Sequence, residues 1–301
     1  MIVTIDLGSN SFRVLLYDGV NHKIIDEYQE VVGMADGLEK TKKISPEAQN
    51  RVVQAVKRSI ERLNYNPSDA ICVTTAAMRK AKNSNEVLKK FKDECDLNFR
   101  IIDGIEEAKL TLLAIKYALK REKVNSKKFL LIDIGGGSTE LIINNDNINH
   151  SKSFDLGIIT LAQKSSNTEE LLKFLELKKE EIKEFILSLD MDLSDFQFVA
   201  TAGTPTTVAA VKLGLDFASY DRALVNGTTL TLKELDSFLK LFRSLNEKEI
   251  LELVGTGRGD YIESGVFIYR AFYEILNKNI SIVFDDGLRE GVAINEAIKL
   301  S

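Results

Sequence analysis

Four short segments concentrate glycine with hydroxyl and amide side chains: "GSNS" (8–11), "GGGST" (135–139), "TAGTP" (201–205) and "GTGRGD" (255–260). Glycine lets the backbone approach a ligand closely and adopt positive φ. Successive amides in such a turn can point at phosphate oxygens, with serine and threonine hydroxyls as further donors. Carboxylates stand beside two of these turns: Asp6 before the first, Asp133 before the second, and Glu140 just beyond it. Acids at strand ends beside phosphate-holding turns suit Mg2+, bound directly or through water. The same aspartates could equally hydrogen-bond their own turn amides. "IIDGIEEAKL" (101–110) puts Glu106 and Glu107 in the first turn of a helix, where the helix dipole favours acids. Adjacent helical residues point about 100° apart, so at most one of the two faces a cleft. Arg79 in "TTAAMRKA" (74–81) follows a buried strand. It is either a surface arginine or a phosphate clamp, a role that its forked guanidinium suits.

The elements that must carry these groups are readable around them. "TIDLGSNSFRVLL" and "LLIDIGGGSTELII" align at an offset of 127, with Asp6 over Asp133, Gly8 over Gly135 and Ser11 over Ser138. Each reads as strand, tight glycine turn, strand. A pair of such hairpins, one at the start of each half, suggests duplicated domains. In the first half, Ser45 caps a helix with Pro46 at its first position. Val52, Val53, Val56, Ile60 and Leu63 recur along it at helical spacing. A buried strand at 70–75, helices at 84–94 and 105–121 and a strand at 99–102 follow. The second half predicts helices near 168–188, 232–244, 261–277 and 288–299, the second opening on a Thr231–Glu234 capping box. It also predicts short strands at 196–201 and 280–284. "TAGTP" lies between a strand and a helix, with Thr204 as cap and Pro205 as first helical residue, an arrangement that favours anions. The boundary is expected in the lysine-rich stretch near 120–128. That gives domains 1–124 and 125–301, with a C-terminal helix at about 288–301 available to pack back on the first.

Composition narrows the chemistry. The chain has 301 residues, 44% hydrophobic and 28% charged, which is the balance of a globular protein. No apolar run approaches the ~18 residues of a membrane span, and no signal peptide precedes "MIVTIDLG". Neither a membrane nor a nucleic-acid partner is expected. Cys72 and Cys95 are the only cysteines, too few for a disulfide framework, so a reducing cytoplasm is the simplest location. His22 and His150 are the only histidines and lie in no metal-ligand pattern, which leaves acid–base work to carboxylates. Residues 1–128 hold 23 Lys and Arg against 18 Asp and Glu, whereas the whole chain carries −5. The basic excess is either a solvated helix end and linker or a face toward an anionic ligand.

"DLGSNSFRVLL", "MADGL" (34–38), "TTAAMRKA", "IIDGIEEAKL", "LLIDIGGGSTELII", "TAGTPTT", "GRGDYIESG" and "DDGLREG" (285–291) occur in this order. Together they resemble the exopolyphosphatase/guanosine pentaphosphate phosphohydrolase family, from residue 4 to about 291. The hairpins alone would indicate only the actin-like ATPase superfamily. The resemblance implies an α/β fold of two actin-like (ribonuclease H-like) domains with mixed sheets and a cleft between them. It is also similar to the short members, which have no helical C-terminal extension.

The same resemblance implies roles. Glu107, the second acid of "EEA", would be the general base, with Arg79 beside it. Asp133 and Glu140, with Asp6, would hold Mg2+ or another divalent cation. Phosphates would be bound by Ser9, Asn10, Ser11 and Arg13, by Gly135, Gly136, Gly137, Ser138 and Thr139, and by Gly203, Thr204 and Arg258. "TAGTP" differs from the family's more usual "GTSGT"-like wording. The substrate would be inorganic polyphosphate, guanosine pentaphosphate or both, and the one protein partner admitted is a second copy of the chain, as a homodimer. Such hydrolysis asks mainly for positioning and charge stabilisation, with a carboxylate to orient the water. Two other readings share the fold: an ATP-dependent small-molecule kinase, which needs an acceptor, and a non-catalytic polyphosphate or nucleotide sensor, which binds without turnover.

Overall fold

A computed structural model describes residues 1–146, 148–164 and 167–300. In chain order it runs β1 (Ile2–Leu7), β2 (Ser11–Asp18), β3 (Lys23–Val31), α1 (Leu38–Thr41), α2 (Pro46–Leu63), β4 (Ile71–Thr74), α3 (Ala76–Lys80), α4 (Ser84–Cys95), β5 (Phe99–Ile101) and α5 (Gly104–Arg121). There follow β6 (Lys128–Ile134), β7 (Thr139–Asn145), β8 (Ile148–Phe154), α6 (Ile158–Gln163), α7 (Thr168–Leu187), β9 (Gln197–Thr201) and α8 (Gly203–Lys212). The chain continues through α9 (Arg222–Val225), β10 (Thr229–Thr231), α10 (Leu232–Ser244), α11 (Glu247–Val254), α12 (Gly259–Ile275), β11 (Ile280–Val283) and α13 (Leu288–Leu300). Ser301, the end of the expected last helix, lies outside the described residues. Among the described residues no helix is long and apolar enough to cross a membrane.

The chain divides into two compact units, one of Met1–Ile115 with the chain from Asp286 onward, the other of Lys116–Asp285. The division falls inside α5. Lys116, Lys120 and Arg121 belong to α5, as the helix expected at 105–121 requires, and the basic Lys120 and Arg121 in its last turn complement the helix dipole.

Each unit is built on one mixed sheet. The first has the strand order β3-β2-β1-β4-β5 and the second β10-β11-β9-β6-β7-β8. Apart from β10 at its edge, the second sheet repeats the first, with β6, β7, β8, β9 and β11 in the places of β1, β2, β3, β4 and β5. The duplication extends to register. Asp6 pairs with Arg13 across β1–β2, and Asp133 with Glu140 across β6–β7. The turns close alike: the Gly8 amide donates to the Ser11 carbonyl at 2.9 Å, and Gly135 to Ser138 at 3.0 Å. In both sheets the hairpin's first strand pairs in parallel with the strand that follows the meander, β1 with β4 and β6 with β9. The near-continuous apolar runs of β1, β6 and β9 reflect burial on both faces of the sheet.

Local signals account for the main helices. Ser45 accepts from the Ala48 amide with Pro46 first in α2. Thr231 and Glu234 form the reciprocal capping box of α10, and Asn246 and Glu249 form another on α11. α8 departs from expectation. Its cap position is Ala202 and its first residue Gly203, so Thr204 lies inside the first turn. Ala202, at φ 74° and ψ −171°, turns the chain directly from β9 into the helix. That region of backbone space is essentially glycine's, and an alanine there is strained.

Candidate functional site

In each unit the chemistry-bearing residues gather where the parallel strands end, which is where ligands bind in sheets of this kind. In the first unit three strand ends contribute. β1 delivers Asp6 and the Gly8–Asn10 turn, β4 leads through Thr75 into α3 with Arg79, and β5 leads through Asp103 into α5 with Glu107. The Ser9 and Asn10 carbonyls are turned into the protein. Asn10 accepts from the amides of Val32 and Gly33 at 2.8 and 3.0 Å, and Ser9 from Ala35 at 2.8 Å. None of these loop bonds uses the Ser9 amide as donor. Ser11 opens β2, and Arg13 lies directly across from Asp6. The Arg13 Nε is buried and meets no acceptor among the described residues.

Arg79 and Glu107 are brought together. The Arg79 Nη1 donates to Glu107 Oε2 at 2.8 Å and to the Ile102 carbonyl at 2.8 Å. Glu107 is only 8% exposed. Its neighbour has another fate. Glu106 forms a forked pair with Arg100 at 2.6 and 2.7 Å on the surface, and the guanidinium holds its carboxyl below the usual range. The Asp103 carboxylate caps α5 by accepting from the Glu106 amide at 2.8 Å. The helix thus sends one acid outward and the other inward.

The second unit repeats this layout at the ends of β6, β9 and β11. Asp133 and Glu140 stand opposite each other on one face of the hairpin. Glu140 is buried, and its Oε1 accepts from the Ser138 hydroxyl at 2.9 Å and the Ser153 hydroxyl at 2.6 Å. Where the first hairpin opposes an acid with Arg13, this one opposes two acids, which repel unless a cation lies between them. Two hard oxygen donors beside a glycine turn are of the kind that suits Mg2+, which takes its remaining ligands from water and phosphates. Among the described residues no three His, Cys, Asp or Glu side chains are grouped so as to hold a metal ion. Asp6 belongs to the first unit.

The glycine turn is held from behind. The Gly135 carbonyl accepts from Ile158 at 3.0 Å, and Gly136 from Ile159 and Thr160 at 2.9 and 3.3 Å. The Thr160 hydroxyl donates to the Gly137 carbonyl at 3.0 Å, and Thr139 to that of Leu156. With the carbonyls engaged this way, none of the backbone bonds among the described residues uses the Gly136 amide as donor. Gly157 makes the fit possible: a Cβ there would lie 2.3 Å from the Gly136 oxygen and 2.5 Å from the Gly137 carbonyl carbon. Sequence reasoning missed Gly157 and Ser153. Nothing local marks them, because their partners are in another segment.

At the end of β9, Gly203 opens α8, and the cap residue Ala202 makes no side-chain hydrogen bond to its first turn. Thr204 does not line this opening with its side chain. It is 2% exposed and its Oγ1 lies against Gly265 of α12, where a Cβ would come within 2.0 Å. Arg258 caps α12 and donates from Nη1 to the Thr207 hydroxyl of α8 at 3.3 Å. Tyr220 and Asp285 join this side, the phenol donating to Asp285 Oδ2 at 2.9 Å. Burial, reinforced by Asp285, pushes the Tyr220 phenol far up, so it stays a donor. Neither residue was singled out from sequence.

Comparison with known proteins bears on the family and the fold. A family model described as the Ppx/GppA phosphatase family matches residues 15–300. The chain is 27% identical over 300 residues to a bifunctional 3-dehydroquinate synthase/phosphatase of Fusobacterium nucleatum, covering 94% of this chain and 44% of that protein. It is 28% identical over 297 residues to a guanosine-5'-triphosphate,3'-diphosphate pyrophosphatase of Aliivibrio fischeri, covering 97% of this chain and 58% of that one. The chain thus spans about half the length of these relatives. Among solved structures, the Ppx/GppA family member of Aquifex aeolicus superposes with a TM-score of 0.74 at 27% identity, covering 100% of this chain and 98% of that one. An exopolyphosphatase of Cytophaga hutchinsonii gives a TM-score of 0.84 at 22% identity, covering 99% and 98%, a likeness of fold. The duplicated units are actin-like, and the chain belongs to the Ppx/GppA phosphatase family.

Proposed function

We propose that this chain is a hydrolase of phosphoanhydrides that removes the terminal phosphate of inorganic polyphosphate, of guanosine pentaphosphate, or of both. The observation that carries this reading is the pair Arg79–Glu107: a buried carboxylate, held at 2.8 Å by a guanidinium, at the ends of two parallel strands. Glu107 takes the proton of the attacking water, and Arg79 fixes its orientation. Ser9, Asn10, Ser11 and Arg13 in one unit, and the Gly135–Thr139 turn with Gly203, Thr204 and Arg258 in the other, hold phosphate oxygens through amides, hydroxyls and guanidinium groups. Thr204 serves there through its amide. Asp133 and Glu140 would hold Mg2+, which when bound neutralises charge on the phosphoryl oxygens; Asp6 is the corresponding acid of the first unit's hairpin. The names carried by the relatives, pyrophosphatase for the guanosine compound and exopolyphosphatase, support the substrate class. A reducing cytoplasm and a homodimer remain part of the proposal.

The test is phosphate release by the purified protein with Mg2+, comparing long-chain polyphosphate, guanosine pentaphosphate and ATP without an acceptor. Release from one or both of the first two, abolished by a chelator and restored by Mg2+, is the expected outcome. Release only when a small-molecule acceptor is added would make the protein a kinase. Binding without release would make it a sensor.

A further inference from the structure

The segment that ends β5 has a second copy at the end of β11. Asp103-Gly104-Ile105-Glu106-Glu107-Ala108 aligns with Asp286-Gly287-Leu288-Arg289-Glu290-Gly291. In both, a parallel strand ends, the chain turns at Asp-Gly, and a helix begins: α5 in one case, α13 in the other. Both copies of the motif lie in the first unit.

The second copy is committed to other contacts. Glu290 stands where Glu107 stands, but it is 2% exposed and engaged at both oxygens. Oε2 accepts from the Gly287 amide and Oε1 from the Arg289 Nε, each at 2.8 Å. Arg289, 4% exposed, also donates to Glu27 of β3, and its carbonyl accepts from Thr4 of β1 at 3.1 Å. The start of α13 is therefore pinned to the sheet of the first unit.

From that seat α13 meets the backbone of α5. A Cβ on Gly291 would lie 2.0 Å from the Leu110 carbonyl oxygen, 2.5 Å from its carbon and 3.1 Å from its Cα. These are main-chain atoms, with no rotamer to escape into, and they sit one helical turn beyond Glu107. Leu110 is buried in a small cluster with Val73, Ile102, Leu288 and Val292, which joins β4, the end of β5, α5 and α13. Arg79 ties the cluster to the site, since the Nη1 that holds Glu107 also donates to the Ile102 carbonyl.

We propose that the second copy of the motif is a positioning device for the first: Gly291 seats α13 directly on the backbone of α5 and thereby fixes the place of Glu107. This rests on the reading of Glu107 as the base. Gly291→Ala must push the helices apart, because ordinary contact begins at 3.4 Å. A misplacement of about 1 Å costs up to ~100-fold in rate.

The experiment is a cycle of four proteins: parent, Gly291→Ala, Glu107→Gln and the double variant, each assayed for kcat and KM. The expected result is a roughly tenfold to hundredfold loss of kcat in Gly291→Ala with KM nearly unchanged, and no further loss when Gly291→Ala is added to Glu107→Gln. A purely structural role would give the same loss in both backgrounds, and that result overturns the inference. A folded Gly291→Ala with parental kcat, beside an impaired Glu107→Gln, overturns it alone. Parental kcat in Glu107→Gln overturns the reading of the base and this inference with it. If Gly291→Ala does not fold, Leu288→Ala loosens the same seat without forcing atoms together, and the same two backgrounds decide.

Discussion

Arg79 reaches Glu107 at 2.8 Å, while Arg100 takes Glu106 at 2.6 and 2.7 Å, so two neighbouring acids receive opposite assignments. Glu107→Gln is expected to lower kcat by about two to four decades while leaving KM within a few-fold, the range for a positioned acid or base. Glu106→Gln should leave kcat within about twofold. Its effect is on stability, and it is pH-dependent. The folded carboxyl titrates below its ordinary 4.5 because of the Arg100 hydrogen bonds. Its contribution is therefore present above pH 4.5 and lost as pH falls through the lower, folded value. Being exposed, the pair is worth about 0.5 kcal/mol or less after screening. Denaturant midpoints of parent and variant should differ slightly at pH 7 and converge as pH falls below 4.5. The sequence showed that at most one of these acids faces inward. Which one it is depends on Arg100 and Arg79, each brought alongside by a different strand.

At the level of elements, the glycine turn of β6–β7 depends on a segment that carries no local signal for it. Gly157→Ala would bring a methyl to 2.3 Å of the Gly136 oxygen. The turn must then move, and its amides lose their aim. We expect KM for the phosphate-bearing substrate to rise at least ~10-fold, with thermal stability lowered by about 1–3 kcal/mol as for other overpacked sites. Steady-state kinetics and thermal unfolding on the same preparation check both. The hairpins, α2, α5, α7, α10, α12 and the strands at the ends of "FQFVAT" and "ISIVF" were readable, because apolar periodicity and capping residues are local. β3, β8 and β10 were not. β8 is "INHSKSF", buried only at Phe154, and β3 has no buried residue, so neither shows the alternation of a half-buried strand. Thr204 was misplaced as a cap because the chain enters α8 through a strained Ala202, a conformation that alanine's propensities do not announce.

At the level of the molecule, duplication was visible at an offset of 127 because the hairpins are its least altered part. The interleaving of the chain entered only as a C-terminal helix at about 288–301 available to pack back on the first domain, since no residue between 286 and 300 advertises that its partner is β1. The first unit is closed by that segment: Leu288, Val292 and Ile294 are buried there. Burial of each is worth about 1.5–3 kcal/mol, together a large share of a domain's marginal 5–15 kcal/mol. Ending the chain at Asp285 should therefore unfold the first unit selectively. Cys72 and Cys95 report on it, for both are buried there, and burial pushes the Cys72 thiol up to about 12. In the full chain neither should react with a thiol reagent at pH 8 over minutes. In the shortened chain both should react, while far-ultraviolet circular dichroism keeps the signal of the second unit.

The same interleaving sets an order of assembly during translation. Every residue of the Lys116–Asp285 unit is made before the first residue of α13 emerges. The unit encoded first is therefore the one completed last, and until α13 emerges its β1 and α5 wait with one flank uncovered. Domains generally condense as they leave the ribosome. Here a nascent chain halted before Leu288 would hold a finished later unit beside an open earlier one, and the earlier one is where chaperones and proteases would find their grip.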